Sequence, residues 1–297
     1  MPNWGQVLKE IAEAQAQSPL DTVRRCYLSE LAKRRKRNVI AYYSGWLQKS
    51  SSNYLSSIID DDKNGFMAVI HGLDRSKGLD LILHTPGGDM AATESLIDYL
   101  HAMFKGNIVA MVPQMAMSGG TMIACACKEI IMGKQSSIGP IDPLLNGIPA
   151  YGVIKEFEDA VEDIKTNPHS LPAWQLIIGK YHPSFLGECR KAIDLANEIV
   201  QTRLESVMFR DDPDAKKKAV KIVKALNDHE GTKIHSRHID IEKAMSLGLK
   251  IFRMESDNEL QDAILTVHHC YMHTFSNSQA IKIIENDQGV AFINATR

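Results

Sequence analysis

The 297-residue sequence contains no uninterrupted apolar run of about 18 residues, so it offers no membrane-spanning helix. An excess of one charge sign is also missing. The 34 Lys and Arg stand against 36 Asp and Glu, for a formal net charge of -2. No global field therefore draws the chain to nucleic acid or an anionic surface, and no nucleic-acid partner is expected. Cysteine is sparse and odd in number. Cys26, Cys125, Cys127, Cys189 and Cys270 have the spacing of neither a zinc site nor a disulfide framework. The start Met-Pro-Asn-Trp-Gly-Gln lacks the charged residues and apolar run of a secretory leader. Reduced thiols and a cytoplasmic location are the expectation. His268, His269 and His273 lie close together, but no carboxylate or cysteine completes a ligand pattern. Neither a metal nor a cofactor is expected.

What is present suits a globular protein with a sizeable core, since 44% of the residues are hydrophobic. A helical pattern over about 6–37 breaks near Ser18-Pro19. It ends in the basic run Lys33-Arg34-Arg35-Lys36-Arg37, which suits a last helical turn closed by Asn38. The basic run and Lys216-Lys217-Lys218 read better as solvated helix surface than as phosphate docks. The β-rich run 39–43 leads through Ser50 to Ser52 to Asp60-Asp61-Asp62, which would open a helix.

Short apolar runs at 79–84, 108–112 and 129–133 then alternate with helical stretches at about 90–104 and 121–127. That alternation predicts parallel β-α-β units and an α/β fold with a buried sheet. Beyond Asp142 the pattern is helical: 184–210, interrupted by Gly187, then 213–226 and 239–247, the last closed by Gly248. The end of the chain carries a helical pattern and a strand at 289–293. One domain is expected over 1–297, with a helical N-terminal segment (about 1–37), a core (about 38–250) and a C-terminal extension (about 251–297).

Serine is nucleophilic only when a base takes its proton and donors hold the developing oxyanion. Ser118, in Ala116-Met117-Ser118-Gly119-Gly120, falls where the second of these strands ends and a helix begins. The glycines admit a substrate, and backbone N–H groups at a helix start favour negative charge. A neighbouring strand ends in Thr85-Pro86-Gly87-Gly88, a second glycine turn with unpaired donors at the same sheet edge. Met115 and Met117 would line a cleft beside Ser118. From spacing alone, two ordinary tight turns remain an equal reading.

The order Pro86-Gly87-Gly88, Met117-Ser118-Gly119-Gly120 and Ser136-Ser137-Ile138-Gly139-Pro140 resembles the superfamily of the Clp protease proteolytic subunit and signal peptide peptidase A. Tyr42-Tyr43-Ser44-Gly45-Trp46, His84-Thr85-Pro86-Gly87-Gly88 and Ser137-Ile138-Gly139-Pro140-Ile141-Asp142-Pro143 resemble the serine dehydrogenase proteinase family within it. The resemblance implies a Clp/crotonase-type β-β-α superhelix, a Ser118 nucleophile, and oxyanion donors at Gly87 and Gly119. It also implies a peptide or protein substrate and a homo-oligomer.

Two candidates compete for the base. Lys180, in Gly179-Lys180-Tyr181-His182-Pro183-Ser184, resembles the lysine of the signal-peptide-peptidase branch and ranks first. His235, in Ile234-His235-Ser236-Arg237-His238, ranks second, with Asp142 as the acid that orients it. Three other readings stay open: a crotonase-like acyl-CoA enzyme, an α/β-hydrolase esterase, and an inactive oligomeric scaffold.

Overall fold

The computed structural model describes residues 4–49, 54–227 and 234–296; the Ser50 to Ser52 stretch lies outside them. The helical start forms α1 (Trp4–Glu13) and α2 (Pro19–Arg35). Lys36, at φ 54, is the left-handed cap of α2, and Asn38 instead begins β1 (Asn38–Ser44). There follow α3 (Asp62–Ile70), β2 (Leu79–His84), α4 (Met90–Phe104), β3 (Ile108–Val112) and β4 (Met115–Ala116). Next are α5 (Gly119–Cys125), β5 (Ile130–Met132), β6 (Ser137–Ile138) and the hairpin β7 (Leu144–Leu145) with β8 (Ile148–Pro149).

The helical region comprises α6 (Ala150–Thr166), α7 (Leu171–Ile178), α8 (Phe185–Arg203) and α9 (Ala215–Leu226). Helix α8 runs through Gly187 without the expected interruption. The chain continues with β9 (Ile239–Asp240), α10 (Ile241–Leu247), β10 (Ile251–Arg253), α11 (Asn258–Asn277), β11 (Ala280–Asn286) and β12 (Ala291–Ala295).

Seven strands form one sheet in the order β10-β5-β3-β2-β1-β11-β12. Its first five members are mutually parallel, and β11 and β12 are added antiparallel. Strand side chains alternate between faces. Ile40, Tyr42, Leu81, Leu83, Ala110 and Val112 pack on the face covered by α3, α4, α5, α8 and α9. Val39, Ala41, Tyr43, Ile82 and Met111 pack on the opposite face, with α2 and α11. Both faces are buried, so these strands read as nearly continuous apolar runs.

The basic run is absorbed structurally. Arg35 and Arg37 each donate at 2.6 Å to the buried Asp80 carboxylate on β2, and Arg34 pairs with Asp257 and Glu259. A second, small sheet in the order β4-β6-β9 lies beyond the ends of the main strands. The residues after β2 join it through the bridge Thr85↔Ala116. Among the described residues, no helix is long and apolar enough to cross a membrane.

Leu81 on β2 is fully buried. Leu81→Ala is expected to cost about 2–5 kcal/mol in denaturant unfolding through lost burial and the cavity left behind. Val161→Ala, on the exposed face of α6, should stay within about 0.5 kcal/mol of the parent.

Candidate active site

Ser118 holds φ 50 and ψ -115, a backbone region that non-glycine residues rarely occupy. Such strain costs on the order of 1–3 kcal/mol and persists only where the surroundings fix it. Here they do. Thr85 N–H donates to Met115 O at 3.2 Å, and Met117 N–H donates to Thr85 O at 3.0 Å. Gly120 N–H returns to Met117 O at 2.8 Å. The Thr121 hydroxyl donates to Ala116 O at 2.8 Å and accepts from Gly139 N–H at 2.9 Å. The Ser118 hydroxyl does not cap its own helix and makes no hydrogen bond among the described residues.

The second glycine turn lies directly against it. A Cβ on Gly87 (φ 94) would stand 2.7 Å from both Ser118 Cβ and Met117 O. Ile58 forms a parallel bridge with Gly88: Ile58 N–H donates to Gly87 O at 2.8 Å, and Asp89 N–H donates to Ile58 O at 2.9 Å. Strand alternation then turns the Gly88 N–H away from Ile58. Gly87, where a donor was expected, has a partner for its amide. Its N–H donates to Thr85 Oγ1 at 3.2 Å, whereas the N–H groups of Gly88 and Gly119 have no partner among the described residues.

His235 Nδ1–H donates to Asp142 Oδ1 at 2.8 Å, with Asp142 buried and His235 about one-fifth exposed. Strand register brings the two together. β6 pairs antiparallel with β9 as Ser137↔Asp240 and Ile138↔Ile239. This pairing anchors the two segments that carry Asp142 and His235. Gly139 N–H, bound to Thr121, and Ile141 N–H, bound to Leu226 O at 3.1 Å, fix the acid's segment.

Ser118, Gly87, Gly88, Gly119 and His235 line one cleft of ≈ 400 Å³, together with apolar Met90, Met122, Ile141, Leu144 and Leu145. Lys180 does not line it. It occupies an exposed turn between α7 and α8. A larger cavity of ≈ 970 Å³, beside Lys33, Lys36 and Lys77, holds none of these groups. Sequence reasoning missed Gly88, Thr121 and Ile58; only the Pro86-Gly87-Gly88 motif carried a signal for the first.

The histidines of α11 belong to the opposite face. His268 Nδ1 lies 3.3 Å from the Tyr43 hydroxyl, and the His84 ring lies 4.3 Å from that of Trp46, tilted by 33°. Among the described residues, no group of three ligands could hold a metal. Burial pushes His268 down to about 3 and His84 well below the ordinary histidine value, each with a histidine neighbour as the smaller cause.

The structure thus favours neutral rings, while unfolded histidines take up protons below about pH 6.5. Stability from these groups is full above that pH and falls as pH drops toward 3. In urea titrations, His268→Phe should lose less stability than the parent between pH 6.5 and 4.5, by on the order of 2 kcal/mol.

A strained serine thus shares one cleft with two glycine turns and a histidine–aspartate pair. The profile of the ClpP-like SDH-type serine proteinases matches residues 10–285, and the chain belongs to that family. An uncharacterized protein of Methanocaldococcus jannaschii is 29% identical over 211 residues, 71% of this chain and 64% of that one. A second uncharacterized protein of that organism is 29% identical over 191 residues, covering 64% and 58%. A third, named there as a putative protease, is 26% identical over 123 residues, covering 41% and 37%. The matches span less than two thirds of the length of these relatives.

Proposed function

We propose that the chain is a serine peptidase in which Ser118 is the nucleophile, His235 the base and Asp142 the residue that orients it. The observation that carries this reading is the 2.8 Å His235–Asp142 hydrogen bond in the cleft that contains Ser118. With Nδ1–H committed to Asp142, Nε2 is the basic nitrogen. The bond from Ser118 Oγ to Nε2 closes when substrate is bound, as free enzymes often hold such contacts open. Oγ attacks the scissile carbonyl while Nε2 takes its proton. The same proton then passes to the leaving amine, and water repeats the sequence on the acyl-enzyme.

The carbonyl oxygen, negative in the intermediate, accepts from Gly88 and Gly119 N–H, whose fixed dipoles need no reorganisation. The apolar residues of the cleft suit an apolar side chain next to the scissile bond. A Clp-type superhelical winding, a homo-oligomeric assembly and a cytoplasmic location complete the proposal. The support is family membership, together with the continuation of β2 and β3 into the second sheet.

Treatment with a fluorophosphonate followed by intact mass measurement tests the reading. The parent should gain one adduct and Ser118→Ala none. His235→Ala should lower kcat/KM for a peptide by about 10²–10⁴-fold, and Lys180→Ala should leave it unchanged. An unlabelled parent, or a labelled Ser118→Ala, contradicts the reading and favours an acyl-CoA enzyme or a scaffold.

A further inference from the structure

We propose that the buried Lys282–Asp62 pair, with Tyr42, positions the oxyanion turn by holding the Ser57–Ile59 segment as a strand against Gly87 and Gly88. The catalytic consequence rests on the serine-peptidase reading; the structural link does not.

Lys282 lies in the interior of β11, and its side chain is almost fully buried. Its ammonium donates to Asp62 Oδ1 and to Ser57 O, each at 2.6 Å, and sits 5.9 Å from the centre of the Tyr42 ring. Asp62 Oδ2 accepts from the Tyr42 hydroxyl at 2.6 Å and from Ile59 N–H at 3.1 Å. Ser57 C=O and Ile59 N–H are therefore both drawn to the network. In an extended segment those two groups point to one side, and the N–H and C=O of Ile58 point to the other. The latter pair grips Gly87 O and Asp89 N–H. Beyond them, Gly87 N–H donates to the Thr85 hydroxyl at 3.2 Å.

Stability alone does not account for the pair. Burying an ammonium and a carboxylate carries a desolvation cost, and apolar residues of similar volume often serve a core as well. Burial lowers the Lys282 pKa despite the opposing pull of Asp62. An apolar replacement cannot supply the donor to Ser57 O, a residue at the rim of the cleft.

Two variants and two readouts test the link. Lys282→Met removes the donor. The double variant Lys282→Met/Asp62→Asn removes it without stranding a buried charge, and so keeps the test open if the single variant is unstable. In hydrogen exchange, Ile58 and Asp89 amides should exchange at least about tenfold faster in the double variant, with β2–β3 amides unchanged. In peptide hydrolysis, kcat should fall about tenfold or more at nearly constant KM. The pH–rate limb set by His235 should not move.

Unchanged exchange at Ile58 and Asp89, or acceleration shared equally with the whole sheet, overturns the proposal. Faster exchange with undiminished kcat overturns its catalytic consequence. Should the parent prove to have no peptidase activity, the serine-peptidase reading fails, and the exchange readout still decides the structural link.

Discussion

The arrangement depends on two backbone turns approaching more closely than side chains allow. A Cβ on Gly88 would fall 2.2 Å from Ile58 N, one on Gly119 2.7 Å from Thr93 Oγ1, and one on Gly120 2.5 Å from Thr85 Cγ2. Glycine is required at these contacts because the turns themselves are the packing surface. Gly88 and Gly119 then line one cleft with Ser118. The parallel sheet supplies the approach: β2 and β3 are adjacent and in register, so the segments that follow them emerge side by side.

Ser118 is strained and its hydroxyl is left out of the helix cap, the opposite of what local stability favours at a helix start. Its neighbours are fixed from three directions, by Thr85, by Thr121 and, through Gly87, by Ile58. Asp142 is buried and bonded to His235, and β6–β9 pairing anchors the segments that carry them. Main-chain pairing therefore does much to place the groups of the cleft.

The central strands were legible because burial on both faces leaves apolar runs such as 79–84. β11 was not, because Lys282, Glu285 and Asn286 are buried within it and make a central strand read as polar. Each has a partner that composition cannot reveal: Asp62 for Lys282, Arg24 and Tyr271 for Glu285, and Val69 O for Asn286. Ser118 was legible as a strand-to-helix turn. The His235–Asp142 contact was harder to read, because it joins residues 93 apart in the chain, whereas Lys180 stood out through a local motif. The Ile58–Gly88 bridge was equally hidden, since it joins residues 30 apart that no motif connects.

The most direct test is a crystal structure of the protein after reaction with a fluorophosphonate. The account requires phosphorus bonded to Ser118 Oγ and a phosphoryl oxygen within hydrogen-bond distance of both Gly88 N and Gly119 N. It also requires His235 to remain bonded to Asp142, with Nε2 facing the adduct. An adduct on another residue, or a phosphoryl oxygen held by other donors, would contradict it.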